Sequence, residues 1–366
     1  MNVEIDLTAR EDVPRWLSYG TPVFTILMAL AVSAVALVAL DVNPIAAYST
    51  MFLETASDEL GLRQTLVKSV PLVLTGLAVY VPLRAGLWNI GAEGQLYAGA
   101  IAGTWVGLNV GAPSYVLIPL ALAAAGVAGG VWAGVPGWLR ARWNVNEIIT
   151  TLLLTFVAIE LANYMVRGPM QGGQGNFPVS ALLPTAALLP DLFGTGVHAG
   201  FVVGLLAVAA TYVIVTRTRV GFEVTFVGSN PAAATQAGMS TVKVYLLVFL
   251  LGGAMAGFAG VNEIAGVQGR LRPEFSPGYG FTAIPIALLG RNGAFQVLLA
   301  ALFFALLFVG GSSMEVVYGV PAALIDVIQA LIILFLITAE FIKSYRVDVT
   351  IEREPNDRPA GTVGEV

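Results

Sequence analysis

The chain has 366 residues, of which 57% are hydrophobic and only 11% are charged, and its mean hydropathy is +0.81. This composition excludes an ordinary soluble domain, because no globular core needs so much apolar sequence. The net charge of −5 excludes the basic surface that a nucleic-acid-binding protein presents. Cysteine is absent, so neither disulfides nor thiolate metal sites are available.

Long apolar runs follow one another along the chain, and a run of about 18 such residues crosses the hydrocarbon of a bilayer as a helix. The first run lacks a small-residue cleavage site, which predicts a retained anchor helix. The predicted spans are residues 22–40, 67–83, 91–110, 115–139, 148–166, 197–216, 245–261, 295–311 and 320–342.

A shorter apolar run at residues 279–290 contains Pro285 and is too short for an ordinary span. It is either a broken helix or a helix that crosses within the protein interior. Counting it gives about ten spans, which predicts an all-α polytopic transmembrane helix bundle with both chain ends on one side. The predicted divisions are a cytoplasmic segment at 1–20, a membrane domain at 21–343 and an acidic cytoplasmic tail at 344–366.

Basic residues set the predicted orientation. With a cytoplasmic amino terminus, only five of the 18 lysine and arginine residues face outward, namely Arg63, Lys68, Arg167, Arg270 and Arg272. The positive-inside rule therefore favours a multi-pass protein of the cell membrane with both termini in the cytoplasm.

Glycines recur at every fourth residue in two neighbouring spans. Glycine stripes let helix backbones approach closely, so they predict tight packing between helices. The two stripes are Gly99, Gly103, Gly107 and Gly111, and Gly126, Gly130 and Gly134.

The polar loop at 217–243 separates two spans and carries the signals of a short surface helix. Ser229 or Asn230 is a candidate N-cap, Pro231 suits the first turn and Gly238 ends the helix. The whole predicted segment is Ser229, Asn230, Pro231, Ala232, Ala233, Ala234, Thr235, Gln236, Ala237 and Gly238.

Polar residues at membrane depth are costly in hydrocarbon and are candidates for the lining of a solute path. Each also has a structural interpretation, as a hydrogen-bond network or clamp between helices. For the first group, which we place at the cytoplasmic end of its span, Arg84 is a possible partner of Glu93. The candidates are Asn89, Glu93, Gln95, Glu160, Asn163, Tyr164, Asp326 and Gln329.

The sequence contains none of the motifs expected of an enzyme. A P-loop needs a Gly-Lys pair, yet Lys68, Lys243 and Lys343 follow valine or isoleucine, and no His/Glu metal motif or serine elbow is present. The single histidine, His198, is predicted to be an interfacial side chain. Transport is therefore favoured over catalysis, with ATP hydrolysed by a partner if it is used.

Several motifs together resemble one family. Residues 87–95 read LWNIGAEGQ, 146–152 read NEIITTL, 220–223 read VGFE before GSNPAAA at 228–234, 252–260 read GGAMAGFAG and 278–284 read GYGFTAI. This combination, within about residues 66–341, resembles the permease subunits of nucleoside and simple-sugar ABC importers in the branched-chain amino acid and ribose-type permease superfamily.

The resemblance implies a type II-like ABC importer permease that moves a nucleoside or a simple sugar such as glucose or ribose. It implies a second permease subunit, with a homologous heterodimer favoured over a homodimer, and a solute delivered by an extracytoplasmic binding protein. ABC ATPase partners would bind ATP and magnesium and contact the segment 229–238 as a coupling helix. No cofactor is expected in this chain.

Two other classes of function stay open at this point. An ion-coupled secondary transporter acting alone would use Glu160, Asp326 and the broken run at Pro285. A membrane scaffold is disfavoured, because polar residues recur within the spans.

Overall fold

The computed structural model describes residues 2–9, 15–172 and 177–352. In chain order its elements are β1 (Asn2–Ala9), α1 (Arg15–Ala39), α2 (Pro44–Tyr48), a π-helical turn (Ser49–Glu54), α3 (Thr55–Ser57), α4 (Glu59–Arg84), α5 (Ala92–Asn109), α6 (Ser114–Trp143), α7 (Glu147–Arg167), a 3-10 turn (Thr185–Ala187), α8 (Gly200–Arg217), α9 (Arg219–Ser229), α10 (Pro231–Gln236), α11 (Thr241–Glu263), a second π-helical turn (Ile264–Gln268), α12 (Tyr279–Leu289), α13 (Ala294–Tyr318), α14 (Ala322–Ser344) and β2 (Tyr345–Glu352).

Each predicted span coincides with a helix, which confirms the polytopic helical bundle. Within the described part of the chain, seven helices are long and apolar enough to cross a membrane. The apolar part of α1 (Phe24–Ala39) and α12 are shorter apolar helices. The glycine-rich α5, with 18 residues, is the tenth helix that coincides with a predicted span.

Helix α4 forms the centre of the bundle. Its most apolar window is 78% buried, and α11, α12 and α13 all pack against it. Leu72, Leu74 and Leu77 are fully buried on different sides of the helix. An all-round apolar helix of this kind is stable only when other helices surround it.

Glycines bring α5, α6 and α11 into direct backbone contact. A Cβ atom at Gly99 would clash with the backbone of Gly257, and one at Gly129 would clash with the carbonyl oxygen of Gly253. Both contacts are closer than any larger residue allows. The predicted tight packing is therefore confirmed, although Gly111 has no such neighbour.

The short apolar run forms helix α12, which begins inside the bundle. This agrees with the interpretation of the run as a helix within the protein interior. The Thr75 hydroxyl lies 3.3 Å from the carbonyl oxygen of Tyr279, and Thr75 is nine residues before the end of α4. At 1.5 Å per residue, the start of α12 is about 14 Å from that end. Gly278, with a φ of 90°, turns the chain into the helix.

The first and last described segments, β1 and β2, pair as a two-stranded antiparallel ribbon. Val3 lies opposite Ile351 and Leu7 lies opposite Val347. The sequence analysis did not predict this ribbon, which adds a small β element to an otherwise helical chain. The ribbon places the start of α1 and the end of α14 at the same end of the bundle. Residues 353–366 of the predicted tail and residues 10–14 of the predicted amino-terminal segment lie outside the described residues.

Candidate functional site

The predicted surface helix is present as α10. Asn230 caps it, since its side-chain Oδ1 accepts a hydrogen bond from the Ala233 backbone N–H at 3.0 Å. Ser229 instead ends the preceding helix. Gly238 follows in a left-handed conformation, with a φ of 81°, which stops the helix as predicted.

Helix α10 presents most of its surface to solvent but is fixed by one side chain. Ala232, Thr235 and Gln236 are exposed, whereas Ala234 is fully buried. The exposed face is therefore available to a partner, and Ala234 sets the position of the helix.

The loop at 217–243 contains a second helix, α9, that the sequence analysis missed. Val224 and Val227 are buried, and Gly228 packs directly on the backbone at the end of α4. On the outer face, Arg219 and Glu223 form an ion pair at 2.8 Å. The sequence analysis took this segment for a polar loop because it begins with two arginines. Gly221 and the shortness of the apolar run gave no clear sign of an amphipathic helix.

Asn89 and Gln95 form a closed pair of hydrogen bonds. The Asn89 amide donates to Gln95 at 2.9 Å and the Gln95 amide donates back at 2.7 Å. The Asn89 amide also donates to the Ala78 carbonyl oxygen at 3.0 Å. Both side chains are almost fully buried, so their contacts hold the turn before α5 against α4 rather than line a cavity.

The Glu93 carboxylate joins the beginnings of two helices. It lies in the first turn of α5 and accepts a hydrogen bond from the Gly280 backbone N–H, at the start of α12, at 2.6 Å. Glu93 is 2% exposed. A carboxylate is well placed here because both helix amino termini carry partial positive charge.

One expectation about this region is wrong, and another holds except in depth. The segment 89–95 does lie at the first end of its span, α5, but this end lies inside the bundle, where Gly91 and Gly94 pack against Thr151 and Thr155 of α7. The chain turns back into the protein after α4, so α5 starts at depth. Arg84 does not pair with Glu93, since its Nη2 donates to the Thr225 hydroxyl at 3.2 Å.

Glu160, Asn163 and Tyr164 share one face of α7, as predicted, but that face points away from the bundle. Glu160 is exposed, Tyr164 is 64% exposed, and the Asn163 amide lies 3.4 Å from the Glu160 carboxylate. Within the described residues no hydrogen bond joins them to another helix. The alternative of a clamp between helices of this chain is therefore wrong.

Asp326 and Gln329 do not act as a pair. Asp326 is exposed on α14, whereas Gln329 is 7% exposed and its amide packs against Gly311 of α13. The predicted path residues therefore divide into buried side chains that contact neighbouring helices and exposed side chains on α7 and α14.

A polar cavity of about 520 Å³ opens where α4, α11 and the start of α12 meet. We call it the outer cavity, because it lies at the end of the bundle assigned to the outside by the basic residues. Glu263, at 5% exposed, and Tyr279, at 1%, form its inner wall. The Gln268 amide donates to the Glu263 carboxylate at 3.0 Å.

One wall of the outer cavity is formed by aromatic rings and a cationic side chain. The Lys68 ammonium lies 5.4 Å from the centre of the Tyr279 ring, and Phe275 lines the cavity beside it. Oε1 of Gln268 is buried without a hydrogen-bond partner among the described residues. These donors and acceptors suit a ligand rich in hydroxyl groups.

Sequence reasoning missed this group because its members come from separate elements. Glu263 ends a long apolar run and Lys68 begins another, so each looked like an ordinary boundary residue. The Gly-Tyr-Gly sequence before the short run was the one local signal, because it places an aromatic residue at a helix start in the membrane.

His198 is buried at the base of α8, at 6% exposed. Its Nδ1 accepts a hydrogen bond from the Gly200 backbone N–H at 3.2 Å. Burial lowers the pKa of the imidazole to about 4, so the ring is neutral near pH 7. This agrees with a structural role.

Comparison with known proteins relates the sequence to transport systems. Residues 61–337 match the family described as the permease component of the branched-chain amino acid transport system. The chain is similar to the glucose ABC transporter permease protein TsgB13 of Haloferax volcanii, at 63% identity over the whole chain and 99% of the relative. It is 35% identical to the guanosine ABC transporter permease protein NupP of Bacillus subtilis, over 88% of the chain and 94% of the relative. It is 31% identical to the nucleoside ABC transporter permease protein NupB of Lactococcus lactis, over 86% of the chain and 89% of the relative.

Proposed function

Since the chain belongs to the family of branched-chain amino acid transport permease components and is an ABC importer permease subunit, we propose that its solute is a simple sugar of the glucose class. The relative at 63% identity is a glucose permease by name. The observation that carries the proposal is the outer cavity, where a carboxylate, an amide, an ammonium group and two aromatic rings surround one space.

These groups match the chemistry of a sugar. Carboxylate and amide oxygens accept hydrogen bonds from hydroxyl groups, and the ammonium and amide N–H groups donate to them. Aromatic side chains pack on the apolar face of a ring. A nucleoside shares the ribose hydroxyls and is the second candidate, because relatives at 35% and 31% identity are nucleoside permeases by name.

The coupling proposal rests on α10 and α9. An ABC ATPase that binds and hydrolyses ATP with magnesium would contact the exposed face of α10, which supplies no nucleotide-binding motif of its own. Because Ala234 fixes α10 and Gly228 packs on the end of α4, a push on α10 reaches the central helix through α9. Packed helices respond to such a push by shifting as rigid elements.

A second permease subunit would cover the exposed face of α7. Ile149, Leu153 and Phe156 are each more than half exposed on this helix, and Glu160 lies on the same exposed side. A carboxylate facing lipid is costly, so this face is better placed against a partner. A two-fold homodimer would bring equivalent residues together near its axis, which would set two Glu160 carboxylates against each other, so we favour a different permease as the partner.

The orientation follows from the same features. We place the outer cavity, with Arg270 and Arg272 at its rim, outside the cell, where an extracytoplasmic binding protein would release the solute. The paired ends of the chain and α10 then lie in the cytoplasm of the cell. The positive-inside count supports this placement.

Purification of the tagged chain from its native membranes tests the proposal. An ABC ATPase and a second permease should be recovered with it, and the complex in liposomes with its binding protein should accumulate labelled glucose when ATP is supplied. Uptake of a labelled nucleoside without glucose would select the second candidate. Uptake by the chain alone under an ion gradient would overturn the importer proposal.

Ala232→Arg provides the matching test of coupling. This change on the exposed face of α10 should reduce ATP-driven uptake by at least about tenfold, because an interface that loses about 1.4 kcal/mol weakens tenfold. The bundle should keep its thermal stability. Ala56→Arg places the same substitution at an exposed alanine at the opposite end of the bundle and should leave ATPase activity coupled. Equal loss in both variants would contradict a specific role for α10.

A further inference from the structure

A second cavity, of about 400 Å³, lies at the end of the bundle that the proposed orientation assigns to the cytoplasm. We call it the inner cavity. Its walls come from the end of α4, the turn that follows, α9 and the end of α12. It therefore lies between α9, which leads to α10, and α12, the short helix that starts beside Glu93.

The charge of the inner cavity is of one sign. Arg84 and Arg291 both line it, and none of the residues that line it is acidic. Arg84 donates one hydrogen bond through Nη2, to Thr225. Its Nε is buried and has no hydrogen-bond partner among the described residues. An unsatisfied guanidinium N–H in a cavity is costly unless an acceptor fills the space.

The other walls complete a site for a ligand with an anionic group and a flat or apolar part. The hydroxyl groups of Thr225 and Ser229 line the cavity and retain acceptor and donor capacity. Tyr80 and Trp88 provide aromatic surface beside the two arginines. Guanidinium groups bind phosphate oxygens with paired hydrogen bonds and full charge complementarity.

We propose that the inner cavity binds a phosphate-bearing ligand through Arg84 and Arg291. Two sources offer this chemistry at the cytoplasmic side of a membrane, namely the headgroup of an anionic phospholipid and a soluble phosphorylated compound. Both present the same phosphate oxygens to the arginines. A soluble ligand with a ring also gains contact with Trp88.

The position of the site gives the ligand a consequence for transport, and this step alone rests on the proposed function. A phosphate held by Arg84 on α4 and Arg291 after α12 would join elements on either side of α9. Such a bridge would restrict the movement of α9 that links α10 to α4. Occupancy would then slow ATP-driven uptake, which gives the cell control of import from the cytoplasmic side.

Binding to the purified full-length chain tests the site without reference to transport. The soluble probes are inorganic phosphate and glucose 6-phosphate, with chloride at equal ionic strength as the reference. The lipid probe is a vesicle of phosphatidylcholine with or without phosphatidylglycerol. Thermal unfolding reports the soluble ligands, and native mass spectrometry reports retained phosphatidylglycerol.

The wild-type chain should bind one of the two sources, and Arg291→Gln should weaken that binding by about tenfold or more, since it removes a charged hydrogen-bond donor to the phosphate. Arg142→Gln removes an exposed arginine at the same end of the bundle and should bind as the wild type does. A shift with glucose 6-phosphate selects the soluble source, and retained phosphatidylglycerol selects the lipid.

The folding of the variants is controlled separately. Arg84→Lys keeps the positive charge and loses the paired guanidinium geometry, so it should fold and bind with intermediate strength. If neither source binds the wild-type chain, or if Arg291→Gln and Arg142→Gln bind equally, the proposal is wrong. Loss of binding without any change in uptake would leave the site in place and contradict only its control of transport.

Discussion

The contribution of a single carboxylate to the stability of this protein depends on how deeply the carboxylate is buried. Glu93, in the interior, accepts a hydrogen bond from the Gly280 backbone N–H at the start of α12. Glu223, at the surface, forms an exposed pair with Arg219. Surface pairs contribute little to stability, whereas a buried hydrogen-bonded carboxylate leaves an unsatisfied donor when it is removed.

Glu93→Ala should therefore lower the free energy of unfolding by about 1.5–3 kcal/mol, because the Gly280 N–H would lose its acceptor inside the bundle. Glu93→Gln keeps an oxygen at the same place and should lose less. Thermal unfolding of the purified chain in detergent measures both, with Glu223→Gln as a control that should change little. Equal loss in the two Glu93 variants would show that charge, not the acceptor, matters.

His198 predicts a pH dependence of stability. Its pKa is about 4 in the folded protein, against an ordinary value of 6.5, so the unfolded chain binds the proton more tightly. The contribution of the neutral ring is fully present above about pH 6.5 and is lost as the pH falls toward 4, with a slope that approaches about 1.4 kcal/mol per pH unit.

Thermal unfolding of the wild type and His198→Asn between pH 7 and pH 4 measures this effect. The asparagine side chain can accept the Gly200 hydrogen bond but does not titrate. The difference between the two proteins should therefore shrink as the pH falls. A difference that stays constant across this range would contradict a buried neutral imidazole.

At the scale of elements, the packing of α5, α6 and α11 depends on the absence of side chains. Gly257 of α11 faces backbone atoms of both Gly99 and Ala125, so two helices approach it from different sides. The every-fourth-residue stripes predicted close contact, but they did not show that α11 is the common partner. The contacts of Gly253, Gly257 and Gly260 show that α11 is the common partner, but only when the three helices are seen packed together.

Gly257→Ala should destabilise the bundle by about 1–3 kcal/mol, because its new methyl group meets the Ala125 carbonyl oxygen and the backbones cannot separate without losing their contacts. Gly204→Ala is a matched change within α8, where a Cβ has no neighbour within 4 Å, and should be neutral or slightly stabilising. Thermal unfolding compares them. Similar behaviour of the two variants would mean that the three-helix contact is looser than described.

At the scale of the whole molecule, the sequence was sufficient for the number and position of the ten predicted spans, although not for the short helices such as α9. Apolar length alone places α6 or α13, because the bilayer imposes that length on any spanning helix. Depth was not predictable in the same way. The turn after Arg84 returns into the protein, and long-range contacts such as the Asn89 hydrogen bond to Ala78 show this. Long-range contacts of this kind, like those of the outer cavity, leave no periodic signal in the sequence.

The exposed face of α7 gives a prediction about assembly. Glu160→Leu should leave the isolated chain as stable as the wild type, or slightly more stable, because the carboxylate has no partner from another helix among the described residues. Recovery of the proposed second permease in the purified complex should fall. Tyr115→Leu, another change at an exposed side chain, serves as the control. Unchanged recovery in Glu160→Leu would place the partner on another face.

The terminal ribbon has a consequence for biosynthesis. Strand β1 precedes every helix of the bundle in the chain, and its partner Tyr345–Glu352 follows all of them. Every helix of the bundle must be inserted before the two strands can meet, and contacts so distant in sequence form late and slowly. A chain truncated before β2 would keep its amino-terminal strand unpaired. The ribbon thus shows that the last helix has been made, and until then the edge of β1 stays unpaired.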